Sequence, residues 1–209
     1  MTNKQKTTTR AGRPKGSRKE DTLARILPVA RRLFAEKGYA RTTFKDVGDA
    51  IGTSHAALYT YFPSKAELYL AAVEDTQSLL FPRYLEAIEQ GNNLRERLTR
   101  ILMASAKAHD LDPSITGLLA TIPIESRRHP ELAELFDKHK LDTQSVLEQL
   151  FAEAKLNGEI RSKASPEDLV IAIMGAGVGI AMFQYGLQAS TLTDAMEVFV
   201  DLIEGNLFN

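Results

Sequence analysis

The sequence predicts an all-α protein: an N-terminal three-helix domain containing a helix-turn-helix, followed by a larger C-terminal helical domain. Three observations carry that expectation. Apolar residues recur at helical spacing along most of the chain. The breaks between those stretches hold helix caps and helix-starting prolines rather than strand signals. The segment from Thr42 to Leu68, TTFKDVGDAIGTSHAALYTYFPSKAEL, marks two short helices joined by a tight turn.

Taken in order, residues 1–19 carry Lys4, Lys6, Arg10, Arg13, Lys15, Arg18 and Lys19 with no acid and no hydrophobic period, so they read as a flexible basic arm. Its centre, Gly12-Arg13-Pro14-Lys15-Gly16, resembles the Arg-Pro hooks of DNA-binding tails, which makes Arg13 and Lys15 candidates for groove contact. Residues 20–65 form the helix-turn-helix domain. Its supporting helix, residues 23–34, places Leu23, Ile26, Leu27, Ala30, Leu33 and Phe34 on one face, with a kink expected at Pro28, whose ring crowds the carbonyl of Ala24. The first motif helix opens on a capping box, Thr43 with Asp46, and turns Phe44, Val47 and Ile51 inward. Gly52 supplies the left-handed turn, Ser54 caps the second motif helix, and Pro63 ends it. Ser64 and Glu67 then launch a longer helix.

Residues 66–209 read as helices over roughly 64–90 with a break at Pro82, then 94–109, 113–128, 130–156, 166–187 and 192–207. Pro113, Pro130 and Pro166 each occupy a first helical position, while Pro123 falls mid-helix as a hinge or pocket wall. Leu132, Leu135, Phe136, His139, Thr143, Val146, Leu147, Leu150 and Phe151 make one stripe, and Leu192, Ala195, Met196, Phe199, Leu202 and Ile203 another.

Composition narrows the function. The 209 residues are 44% hydrophobic, ample for a core, and contain no cysteine, which excludes disulfides, thiol catalysis and thiolate metal sites and fits a reducing cytoplasm. The N-terminus lacks the apolar centre of a secretory signal. The longest apolar run, Leu169 to Phe183, is shorter than the roughly 20 residues a membrane span needs, so it reads as a buried helix. A net charge of -1 conceals a division: residues 1–65 hold 14 Lys+Arg against 5 Asp+Glu, and the rest hold 12 against 22. A basic head on an acidic body is the footprint of a polyanion-binding domain joined to one that does not touch the polyanion.

In a helix-turn-helix the start of the second helix faces base edges. His55 is therefore the leading base-reading candidate, with Ala56 and Ala57 offering apolar contact, for instance to a thymine methyl. Lys45 is a weaker phosphate candidate.

These residues resemble the tetracycline-repressor (TetR) type of bacterial transcription regulators. The pattern is Ile26-Leu27, Ala30, Leu33-Phe34, Gly38-Tyr39, Thr42-Thr43, Val47, Gly52, Ser54, Leu58-Tyr59, Tyr61-Phe62, Lys65 and Leu68. Three departures from it are visible: Val47-Gly48 replaces the usual Ile-Ala, Ala56 and Ala57 replace the common Gly and Thr, and Pro28 lies inside the first helix. The resemblance implies that Thr43, Tyr59, Tyr61 and Lys65 hold phosphates, with Ser54 at the start of the reading helix. It also implies a small-molecule pocket among the C-terminal helices, where Phe81, Met103, Leu119, Ile122, Phe136, Phe151, Met174 and Phe183 are candidates, though most such residues are ordinary core.

The run Gly175-Ala-Gly177-Val-Gly179 superficially resembles a dinucleotide-binding turn. Ile180 occupies the third glycine position, however, and Ser165-Pro166 starts a helix directly upstream, so close helix crossing is the better reading. His109, Asp110 and Asp112 read as a solvated helix end, and Arg127-Arg128 as a favourable helix C-terminal pair. Together these expectations describe a cytoplasmic homodimeric regulator without cofactor, metal or membrane partner. It binds double-stranded DNA and a mostly apolar inducer, and dimerises through its last two helices with Gly175, Gly179, Phe199 and Leu202 at the interface. The competing classes are a sequence-indifferent architectural DNA-binding protein and an all-helical cofactor-binding enzyme.

Overall fold

The computed structural model describes residues 15–138 and 142–208. Arg13, with the arm up to residue 14, and His139 lie outside the described residues, as does the side chain of Lys15. Every regular element among the described residues is a helix.

The head is built from α1 (Lys15–Arg41), α2 (Phe44–Ile51), α3 (His55–Leu58) and the start of α4 (Lys65–Gln90). Backbone angles stay helical through Pro28, which lies between the fully buried Ile26 and Ala30. The non-helical residue in α1 is Gly38, at φ 77° and ψ 168°, a conformation that favours glycine. The head core gathers Ile26, Phe34, Val47, Leu58, Leu68 and Tyr69, with the Phe34 and Tyr69 rings edge to face at 4.9 Å. It also takes Leu118 and Leu132 from the body, so head and body share apolar packing. The division expected at residues 65 and 66 falls in the first turn of a continuous helix.

The body comprises the rest of α4, then α5 (Leu94–Leu111), α6 (Ser114–Leu119), α7 (Ile122–Arg128), α8 (Pro130–Lys138), α9 (Asp142–Leu156), α10 (Pro166–Leu187) and α11 (Leu192–Glu204). Three expectations are corrected. The helix α4 runs without a break through Pro82. The segment 113–128 is two helices divided at Ala120 and Thr121, which puts Pro123 in the first turn of α7, where its missing N–H costs no hydrogen bond. Pro123 is exposed there and bends nothing. Finally, α10 is not buried: Ile171 and Phe183 are 71% and 74% exposed, and the helix turns only Val170, Gly177 and Ala181 fully inward. By length and composition it is apolar enough to cross a membrane, yet its inner face is part of the protein core.

Candidate functional site

The helix-turn-helix is held by its caps. Thr43 Oγ1 accepts the Asp46 N–H at 3.1 Å, and Asp46 Oδ2 accepts the Thr43 N–H at 2.8 Å. Lys37 Nζ lies 2.6 Å from Asp46 Oδ1, and that ammonium, with the Thr43 bonds, holds the Asp46 carboxyl far below the usual carboxylate range. Gly52 takes φ 69° to end α2, and Arg25 donates to the Ile51 carbonyl at 2.8 Å, satisfying a helix-end acceptor. Gly48 explains one departure from the family pattern. A Cβ there would lie 2.7 Å from the Thr53 carbonyl oxygen and 3.3 Å from the His55 nitrogen, so the turn packs closer over this glycine than a side chain would allow without a backbone shift.

Ser54 Oγ accepts the Ala57 N–H at 3.2 Å and starts α3. His55, Ala56 and Tyr59 are exposed on one side of it, Ala57 is half-buried, and the Tyr59 ring stacks on Phe44 at 4.3 Å. Tyr61 packs partly into the head core. Lys45 is exposed but ion-paired with Asp49 at 2.5 Å. Lys65 donates to the Tyr39 and Ala40 carbonyls at 2.8 and 3.0 Å, with its ammonium 4.4 Å from the Tyr39 ring centre. Two of its three protons are thus committed, and burial lowers its pKa. Of the candidates, Thr43, Lys45, Ser54, His55, Ala56 and Tyr59 are exposed, whereas Ala57, Tyr61 and Lys65 are half-buried. Sequence reasoning missed Lys37, Arg25 and Gly48, whose roles depend on partners that only the fold brings near.

Buried polar side chains join head and body. Arg31 on α1 is 5% exposed and donates to Ser114 Oγ at 3.1 Å, to Asp112 Oδ2 at 2.7 Å and to Asp75 Oδ2 at 3.4 Å. Burial pushes the Asp112 carboxyl up, but the Ser114 hydrogen bonds and the Arg31 cation outweigh it and hold the group below the usual range. Glu125, buried on α7, accepts the Tyr39 N–H at 3.3 Å, and its other oxygen lies 3.4 Å from His129 Nε2. The stretch expected as a solvated helix end is therefore a junction. His109 is 2% exposed with Nε2 2.7 Å from Gln184 Oε1, and Asp110 accepts the Leu192 and Thr193 N–H groups that open α11.

The body holds a partly open cavity of about 180 Å³ walled by α4, α5, α6, α10 and α11. Of the residues proposed from sequence, Leu119 and Met174 line it. Ile122 and Phe136 pack against the head core, Phe151 is buried in the α5–α9 core, and Met103 supports the α5–α11 core. Phe81 is half-buried outside the lining, and Phe183 lies on an open groove between α10 and α11. Sequence reasoning missed Gln77, Tyr84, Ser105 and Thr116, the polar part of the wall. Nothing in their periodicity distinguishes a cavity wall from a core.

On the outer side of α10, Gly175 and Gly179 face open space, whereas Gly177 turns inward against Leu102. Phe199 packs partly against the α5–α11 core and Leu202 is 48% exposed. The glycine run lies inside one continuous helix, not the strand and turn that a dinucleotide site requires.

Residues 26–72 match the family described as bacterial regulatory proteins, tetR family. The nucleoid occlusion factor SlmA of Mannheimia succiniciproducens is 32% identical over 119 residues, 56% of this chain and 55% of that relative's length. Two solved structures share the fold across both domains. The ketosteroid transcriptional regulator KstR2 of Mycobacterium tuberculosis has TM-score 0.68 at 20% identity over 90% of this chain and 95% of that one. The regulator FadR of Bacillus subtilis, solved with stearoyl-CoA, has TM-score 0.70 at 17% identity over 88% and 99%. The capped helix-turn-helix on the basic head thus lies within the stretch, residues 26–72, that matches the tetR family of bacterial regulatory proteins, and the chain as a whole shares the fold of these solved regulators.

Proposed function

We propose that the chain is a cytoplasmic, ligand-responsive repressor that binds a palindromic operator as a homodimer and leaves it when a small, mostly apolar molecule occupies the body cavity. One observation carries this reading: α6 contributes Ile115, Thr116 and Leu119 to the cavity wall and, at its first residue, Ser114 to the buried Arg31 contact with the head. A molecule that moves α6 therefore acts on the helix that supports the DNA-facing motif. The exposed apolar side of α10 and α11, with Ile171, Phe183, Leu187 and Val198, supplies a surface on which two copies pair.

Selection of bound duplexes from a random pool, followed by footprinting, tests the reading. The expected product is a near-palindrome with half-sites about 34 Å apart, one helical turn, or a small multiple of it. Recovery of duplexes with no shared sequence would favour the architectural alternative and overturn the repressor reading, and an isolated half-site would overturn the dimer.

A further inference from the structure

The cavity wall says what kind of molecule it takes; the argument rests on that cavity being the effector site. Among its lining residues the sole ionisable side chain is Tyr84, and burial raises the pKa of that phenol, so it stays protonated. A charged group seated against this wall would give up hydration and find no counter-ion among the lining residues. His109, one turn beyond Ser105 on α5, is outside the lining and holds Gln184 with its Nε2.

The polar wall divides in two when its protons are counted. Ser105 Oγ donates to the Ile101 carbonyl at 3.0 Å, which spends its one proton. The 2.8 Å contact between Tyr84 Oη and Ser105 Oγ must then be a bond donated by Tyr84. That pair is closed to a ligand, except as a weak acceptor. Gln77 on α4 and Thr116 on α6 differ: neither side chain makes a hydrogen bond to another described residue, and each offers both a donor and an acceptor. Size agrees: a dry cavity of about 150 Å³ holds benzene, so the partly open space of about 180 Å³ accommodates one ring with a short substituent.

We propose that the effector is an uncharged, carbon-rich molecule of about one ring, bearing a hydroxyl or amide group that Gln77 and Thr116 read while Tyr84 and Ser105 wall its apolar body. Thr116 stands two residues after Ser114, so the polar group is recognised on the same helix that meets Arg31.

Three matched probes test it by calorimetric titration of the full chain: para-ethylphenol, ethylbenzene and para-ethylbenzoate. The phenol binds, ethylbenzene binds about five- to ten-fold more weakly for want of one hydrogen bond, and the benzoate does not bind measurably. In Gln77→Leu/Thr116→Val the preference for phenol over ethylbenzene disappears, whereas in Tyr84→Phe it persists. The proposal is overturned if the benzoate binds as well as the phenol, if none of the three binds, or if the double variant keeps the preference. Far-ultraviolet circular dichroism checks that each variant is folded. If the phenol binds as described but leaves the complex with the selected duplex intact, the ligand chemistry stands and the effector reading falls.

Discussion

Replacing Arg31 with Met keeps the length and apolar bulk of the side chain and removes the cation from between three acceptors. Removing one member of a fully buried ion pair typically costs about 3–5 kcal/mol because the other is left uncompensated. Here the side chains of Asp112 and Asp75 are 40% and 28% exposed, so water re-solvates them in part. The cost then falls to that of charge-assisted hydrogen bonds, about 2 kcal/mol, and for a chain of this size the melting temperature drops by roughly 4–8 °C. Urea unfolding of Arg31→Met, Asp112→Asn and the double variant isolates the contact, with a coupling energy of about 1–2 kcal/mol expected. Asp112 is the partner to choose. It has the shorter bond and a depressed pKa, whereas burial lifts the Asp75 carboxyl above the usual range despite Arg31. Because the Asp112 pKa is depressed in the fold, its contribution is present above the ordinary carboxylate range and is lost as pH falls through the folded value. Arg31→Met should therefore lose less stability on acidification than the parent. A coupling energy near zero, with unchanged acid sensitivity, would refute the claim that this contact fastens the head to the body.

Gly48→Ala places a Cβ 2.7 Å from the Thr53 carbonyl oxygen and forces the turn backbone to shift, so it should cost about 1–3 kcal/mol and weaken binding to the selected duplex; an alanine variant as stable as the parent in urea would contradict that close approach. His55→Ala should relax base preference in a repeat selection, whereas Lys65→Met weakens binding to every duplex and lowers the salt slope by about one; an unchanged consensus after His55→Ala would show that another face reads the bases. Gly179→Leu fills the open outer side of α10 and should give helical monomers that bind the palindrome weakly, and sedimentation that still finds dimers would place the pairing surface elsewhere.

Much of the head was legible because its signals are local. The Thr43–Asp46 box, the Gly52 turn and the Ser54 cap each act within a few residues, and the sequence spacing alone identifies them. Two prolines misled: Pro82 is carried inside a continuous helix, and Pro123 begins a helix instead of bending one. The charged residues were hardest to read. Arg31 meets Asp112 and Ser114 more than 80 positions away, so the same side chain that passes in sequence for part of a solvated basic face is a buried clamp. The cavity wall was legible only as apolar helices, since Gln77 and Thr116 look in sequence like ordinary surface positions.

The Gly38 break in α1 bears on whether such heads are interchangeable parts. The Glu125 carboxylate stands 3.1 Å from where a Cβ on Gly38 would project, and accepts the next N–H along the chain, that of Tyr39. A chimera spliced at residue 65 exchanges Arg31, Gly38 and Tyr39 together while retaining Asp112, Ser114 and Glu125 in the recipient. Any donor head with a side chain at position 38 would be strained at φ 77° and press on that carboxylate, and one without a cation at position 31 would strand the acceptors at the start of α6. Building a sensor that carries a borrowed reading head on this body therefore requires transplanting five or six residues on both sides of the seam, not a cut at a linker.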